Sequence, residues 1–247
     1  MRNPQARRAR HRRRLALWLA AIGAVLSQDA SAAGWGGSLG VASDYVFRGV
    51  TQSDGKPSAQ GDVHYHAAAG WFAGLWAASV ERSSSRGTTA ELNAYLGYSL
   101  PLADAWNATV SAVHYDYPWN KPHQRYSYDE VVGTVAYADR LFLTAAASPD
   151  TSVGTTYGVS ERRAAYSYDL AFHAPLFQAL SANGGIGYYD LHRLVNAGYI
   201  YWSIGLGYDL GPLQLQLSYI GTNGTAKALF YDDAAHNRWA ATALWHF

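Results

Sequence analysis

The chain has no cysteine, and its single methionine is Met1. Disulfide frameworks and thiolate metal sites are excluded, and an exported chain without thiols cannot cross-link while it is still unfolded. Long apolar runs are missing as well. Residues 15–26 offer 12, against the roughly 20 that a helix needs to cross a bilayer, and no later run comes closer. Any passage through a membrane must therefore be made by strands. Charge is sparse at 15% of residues, and much of the positive charge sits in one place. Seven arginines lie between Arg2 and Arg14, ahead of the apolar stretch and of the small residues Ala30, Ser31, Ala32 and Ala33. A basic start, a short apolar centre and a small-residue end are the three parts of a secretory signal. Residues 1–33 are thus expected to be removed, with cleavage after Ala32 or Ala33, leaving 34–247 as one domain. The leader holds 7 of the 19 Lys and Arg and 1 of the 18 Asp and Glu. Beyond it 12 bases face 17 acids, a formal net charge of −5 in place of +1, and no basic stripe remains to hold nucleic acid.

Aromatics and glycine are plentiful, with 19 Tyr, 9 Trp and 24 Gly. The end of the chain shows how they are used. Trp239, Ala241, Ala243, Trp245 and Phe247 occupy alternate positions, with Arg238, Thr242, Leu244 and His246 between them. This is period-two patterning, and a terminal strand that shows tryptophans on one face suits lipid better than water. Trp239, Trp245 and Phe247 form the expected assembly signal, through which barrel-assembly machinery would take up the last strand.

Twelve such segments can be read, near residues 38–49, 59–67, 71–80, 89–100, 106–117, 128–137, 141–148, 163–174, 180–189, 199–210, 213–219 and 239–247. The first places Leu39, Val41, Tyr45 and Phe47 on its outward face. The third has apolar residues at both parities, so its facing stays open, and the fifth changes period midway, which predicts a bulge. Connections after the even-numbered segments are short, whereas those after the odd-numbered ones are long and polar. A soluble β-sandwich has no reason to sort its loops this way. The expected fold is an all-β, closed antiparallel transmembrane barrel of about twelve strands, with short periplasmic turns and long extracellular loops.

The run Ser43-Asp44-Tyr45-Val46-Phe47-Arg48-Gly49-Val50-Thr51-Gln52-Ser53-Asp54-Gly55-Lys56-Pro57 resembles the TorF-like family of porins, a proteobacterial family of unknown role. The likeness continues at Gln60-Gly61, Tyr115-Asp116-Tyr117-Pro118 and Ala147-Ser148-Pro149-Asp150. One departure is Trp119, which follows Tyr117-Pro118 where the family usually has glycine. The resemblance implies an outer-membrane barrel that acts as a channel, and it brings no substrate or catalytic residue.

Alternation assigns a polar inward set. Asp44 and Arg48 share the inward parity of the first segment. Four residues along a strand span roughly 13 Å, so each must find its partner elsewhere, as a charged constriction or as a cross-barrel bridge. Asp62, His64 and His66 form an inward ladder in steps of roughly 7 Å, more consistent with lumen-lining histidines than with a metal site. Glu91, Asn93, Tyr95, Glu130, Asp169, His173, Asp209, Gln214, Gln216 and His246 complete the set. Polar residues at every second position predict a hydrated or hydrogen-bonded interior, and counting Asp44, Asp62, Glu91, Glu130, Asp169 and Asp209 against Arg48, Arg163 and Arg238 gives it an acidic excess that weakly favours cations or neutral polar solutes. The one Gly-x-Ser-x-Gly match, Gly36-Gly37-Ser38-Leu39-Gly40, runs into the first strand and is no strand-to-helix turn, and no outward His-x-Ser pair occurs, so the sequence offers no hydrolase signature in its working context.

Taken together, these features predict a Gram-negative outer-membrane channel for passive diffusion of small polar solutes or ions, neither an enzyme nor a cofactor protein. The rival is a non-conducting surface barrel that binds a partner through its loops, or lipopolysaccharide at its rim. Membrane lipid and lipopolysaccharide would surround either one.

Overall fold

The computed structural model describes residues 33–81, 89–118, 126–155 and 158–247. The leader and Trp119 lie outside the described residues. Twelve strands close into one antiparallel barrel, each paired with its neighbours in sequence and the first with the last. They are β1 (Gly34–Ala42), β2 (Ser58–His66), β3 (Trp71–Ser79), β4 (Ala90–Ala103), β5 (Trp106–Asp116) and β6 (Tyr128–Tyr137). The circuit continues with β7 (Leu141–Thr151), β8 (Arg163–Phe177), β9 (Leu180–Asp190), β10 (Gly198–Leu210), β11 (Leu213–Thr222) and β12 (Arg238–His246). Two short helices, α1 (His192–Val195) and α2 (Gly224–Leu229), lie in the connections after β9 and β11. The connections alternate in length as the sequence predicts, so the barrel has a short-turn end, where its first strand begins and its last one ends, and a long-loop end.

Alternation decides which side chains meet lipid. Leu39, Leu75, Leu96, Leu143, Ile204, Leu206 and Leu217 are exposed on the outer wall. Aromatic pairs ring its short-turn end: Trp35 with Tyr65, Trp71 with Tyr98, and Trp106 with Tyr137, at centroid distances of 5.4, 5.1 and 4.8 Å. At the other end of β10–β12, Trp202, Tyr219 and Trp239 form a second chain of contacts. An apolar band between aromatic girdles is the exterior of a transmembrane barrel. The facing of β3 is also settled, with Trp71 and Leu75 outward and Phe72 and Trp76 buried inward. Several glycines make room for large neighbours across the pleat. A Cβ at Gly74 would collide with the Tyr95 hydroxyl, so that close approach requires glycine.

Two expectations need correction. The first strand ends at Ala42, not at residue 49, and Tyr45 and Phe47 do not face lipid: Tyr45 is 1% exposed and packs inside the barrel with Phe47 beside it. The predicted bulge within β5 is absent, since its ladder with β6 runs unbroken from Trp106↔Tyr137 to Tyr115↔Tyr128. The period seemed to shift because Val113 and Tyr115 are apolar yet point inward. The nearby irregularity lies between Pro101 and Ala103 of β4, where proline cannot donate to the ladder.

Ile204, near the middle of β10, carries the lipid contact. Ile204→Arg is expected to lower the stability of the refolded barrel by about 2–4 kcal/mol, the cost of a base at the bilayer midplane. Denaturant titration in lipid vesicles checks this; an unchanged midpoint would mean that this face does not meet hydrocarbon.

Candidate functional site: a hairpin across the barrel

After Ala42 the chain leaves the wall and folds inward. Ser43 fixes the exit, its N–H donating to Ala241 O (2.8 Å) and its hydroxyl accepting from Ala241 N (2.9 Å). The next residues form a small hairpin in which Val46 pairs with Thr51 and Phe47 with Val50. Its two-residue turn is Arg48-Gly49, with φ of +48° and +79°. Positive φ at both central positions matches the right-handed twist of a tight hairpin, and glycine takes the second position without strain. The Asp44 carboxylate organises the base. It accepts hydrogen bonds from Thr51 and Ser53 and meets Arg238 Nη1 of β12 at 2.7 Å.

The tip docks on the far wall. Arg48 Nη2 donates to Glu130 Oε2 of β6 at 3.0 Å, and Nη1 lies 2.8 Å from Oε1, off the hydrogen-bond line, so this second contact is electrostatic. The two side chains are 4% and 1% exposed. Tyr115 also donates its hydroxyl to Glu130 Oε2, at 3.2 Å. The guanidinium lies over the rings of Phe47 (4.7 Å) and Tyr189 (4.5 Å). Tyr199 donates its hydroxyl to Arg48 O (3.1 Å), and Thr51 N donates to Ala234 O (2.9 Å) in the connection that carries α2. A Cβ on Gly49 would stand 2.6 Å from the Thr222 methyl and 2.7 Å from Tyr201 Cβ. Burial works against the charge on Arg48 more than any one neighbour favours it, but Glu130 together with Tyr189, Tyr201 and Tyr128 holds the guanidinium's proton affinity above the ordinary arginine value.

The remaining sequence-derived residues divide between two zones. Toward the long-loop end, Glu91 accepts from Asn93 (2.9 Å) and Tyr45 (3.3 Å), and Asp169 accepts from Tyr201. Down β2 toward its short turn, Asp62 accepts from Tyr95 (2.7 Å) and pairs with His64, the His64 and His66 rings stand 5.2 Å apart, and His66, the last residue of that strand, stacks on Phe72. Among the described residues, no group of three or more His, Asp or Glu is placed to hold a metal ion. Toward the short-turn end, Gln214 donates to Asp209 (3.1 Å), Gln216 to Ser218 (3.0 Å), and His173 bonds Asn183. Here Thr109, Thr134, Thr144, Gln214, Gln216 and Thr242 are only partly buried, so part of this half of the interior is open to water.

Two packed clusters fill much of the interior beside the hydrogen-bonded polar groups, an apolar filling that the polar parity did not lead one to expect. One joins Tyr45, Trp76, Tyr95, Tyr115 and Tyr128, and the other joins Val50, Tyr189, Leu191, Tyr199, Tyr201 and Leu229. Arg163, expected inside, is exposed at the long-loop rim and paired with Glu161. The inward tyrosines follow from strand parity, and an Arg-Gly pair between Val46-Phe47 and Val50-Thr51 has the form of a two-residue hairpin turn. That signal lies in the sequence, but the alternation that continues through it predicts an unbroken strand.

A closed twelve-strand cylinder, apolar outside and constricted within, has the architecture of a porin-like barrel. Residues 27–247 match a bacterial family of unknown function (Gcw_chp), and the chain belongs to it. Among curated proteins none matches the sequence. Among solved structures the chain is similar to a KdgM porin at 7% identity and TM-score 0.54, covering 86% of this chain and 99% of that one. A NanC porin is similar at 8% identity and TM-score 0.57, covering 85% and 98%. At such identities the likeness is one of fold.

Because Glu130 would be left charged and unpaired, Arg48→Gly, which suits the positive φ, is expected to destabilise the barrel by about 3–5 kcal/mol. Adding Glu130→Gln should recover a large part of that loss. A double-mutant cycle by denaturant unfolding measures it, and strictly additive losses would mean that the two groups do not interact.

Proposed function

We propose that this chain is an outer-membrane channel for passive diffusion of small polar solutes or ions, narrowed at its extracellular end by the inward hairpin. The observation that carries the reading is the contrast inside one closed cylinder. Hydroxyl and amide side chains line a partly exposed vestibule below the crossing hairpin, while the outer wall is leucine and aromatic. A wet interior inside a lipid-facing wall is the lining that a water-filled channel requires. The resemblance of the hairpin motif to the TorF-like porins supports the same role, and so do the porin-like barrels the fold resembles. On this reading the short-turn end faces the periplasm, the leader exports the chain, and Trp239, Trp245 and Phe247 present the last strand to the assembly machinery. Membrane lipid and lipopolysaccharide contact the girdles.

The interior charges temper the expected preference for cations. Asp44, Asp62, Glu91, Glu130 and Asp169 each have a bonded partner inside the barrel. Of the acids counted inward, only Asp209 is partly exposed in the vestibule, where Gln214 contacts it. Selectivity is then set mainly at the hairpin, by size and by Arg48 and Glu130. The second reading, a non-conducting surface barrel, draws on the burial of those same groups.

Absence of native cysteine makes a lock feasible. In Gly49→Cys/Thr222→Cys the two side chains start close enough to bridge, although the cystine must bear the strain of a positive φ at position 49. In planar bilayers the reduced double variant is expected to pass discrete currents, and the oxidised one to fall silent. Currents indifferent to oxidation would remove the hairpin as the constriction. Silence of wild-type and reduced variant alike, with the barrel folded, would favour the non-conducting reading.

A further inference from the structure

The far wall receives Arg48 as a binding site receives a ligand. Glu130 presents a buried carboxylate to the planar guanidinium, Tyr115 steadies that carboxylate, and Tyr189 offers a ring face at 4.5 Å. Paired carboxylate contacts and an aromatic face together are the chemistry that recognises a guanidinium, with its fork of donors and delocalised charge. Apart from Phe47, which travels with the hairpin, every one of these groups belongs to the wall and would stay in place if the tip withdrew. Beside Arg48 lies a cavity of about 50 Å³, bordered by Phe47, Tyr128, Tyr189, Tyr199 and Phe230. One water needs only about 10–15 Å³, so a small solute has room to approach next to the resident side chain.

We infer that the Glu130–Tyr189 wall is a recognition site for guanidinium-bearing organic cations, and that Arg48 is its tethered resident, displaced when such a solute enters. The inference rests on the channel reading and gives it a solute class. Displacement unseats the hairpin tip, so arrival of the solute and opening of the constriction become one event. A tethered group competes at an effective concentration on the order of millimolar, so the free solute must reach that range to displace it. With Arg48 gone, the buried carboxylate has no counter-charge and accepts a free cation of matching shape far more readily.

The test uses the full-length barrel refolded in detergent and titrated with guanidinium chloride at non-denaturing concentrations, against sodium and tetramethylammonium chloride at equal ionic strength. Calorimetry reads binding, and planar-bilayer current is recorded in parallel. Arg48→Gly is expected to bind guanidinium saturably and neither control ion. Wild type should need at least about tenfold more, in keeping with tethered competition. Arg48→Gly/Glu130→Gln should lose the binding by at least tenfold. Absence of saturable binding in folded Arg48→Gly, or binding indifferent to Glu130→Gln, overturns the site. Should Arg48→Gly fail to fold, Arg48→Lys takes its place. It keeps the charge but not the fork, so guanidinium should displace it at a lower concentration than wild type; equal concentrations overturn the site. Saturable binding beside a silent bilayer would keep the site and reject the channel. Currents without saturable binding would do the reverse.

Discussion

Closure of the sheet is the constraint on which everything else depends. In hydrocarbon, an unpaired backbone N–H or C=O has no water to turn to, so a sheet survives there only without edges. Here β1 supplies the seam. It pairs with β2 along its whole length, from Gly34↔His66 to Ala42↔Ser58, and with β12 from Ser38↔His246 to Ala42↔Thr242. The terminal residue joins in, as Gly37 and Phe247 exchange backbone hydrogen bonds of 3.0 Å in both directions. Once the ladder is closed, the pleat assigns every side chain to lipid or to the interior. Leu39 and Trp245 sit opposite each other on the outside because the register at the seam puts them there.

Closure also creates the problem that the hairpin solves. A twelve-strand cylinder encloses more space than short side chains fill, and an interior with six acids must balance its charge locally. The chain answers both needs with one inserted segment. Tyr45, Phe47 and Val50 supply bulk to the two aromatic clusters, while Asp44 and Arg48 reach opposite walls and meet Arg238 and Glu130 there. Hydrogen-bonded pairs of opposite charge make burial tolerable for groups that would otherwise demand water. The arrangement leaves one end of the interior packed and the other wet. The connection carrying α2 reinforces the packed end: Ala226 and Leu229 are buried against Tyr199 and its neighbours, and Asn223 caps the helix by accepting from Ala226 N.

Much of this was legible in the sequence, because a lipid-facing strand writes its orientation at every second residue. Apart from Arg163 at the start of β8, strands β4, β6, β8, β10, β11 and β12 show the expected outward and inward residues, and β6 matches residue for residue in extent. Alternation fails as a guide where it continues after the strand has stopped. Tyr45 and Phe47 keep the parity of Leu39 and Val41, so residues 43–49 imitate a strand, and only the Arg-Gly turn betrays a reversal. β3 and β5 were ambiguous for another reason: their inward residues, Phe72, Trp76, Val113 and Tyr115, face a packed interior instead of water, so both faces are apolar. The charged pairs were legible as needs but not as partners. Joining Arg48 to Glu130 requires knowing that the hairpin crosses the barrel, and no local pattern encodes that.

The direct test asks which solvent the hairpin meets. With no native thiol, Phe47→Cys is a single reporter at a position where strand parity and the folded structure disagree. Labelling the refolded barrel in vesicles with a maleimide confined to the hydrocarbon should leave this residue unmodified, while Leu39→Cys reacts. Modification of Phe47→Cys from the lipid phase, at a rate like that of Leu39→Cys, would put the segment back in the wall and contradict the account.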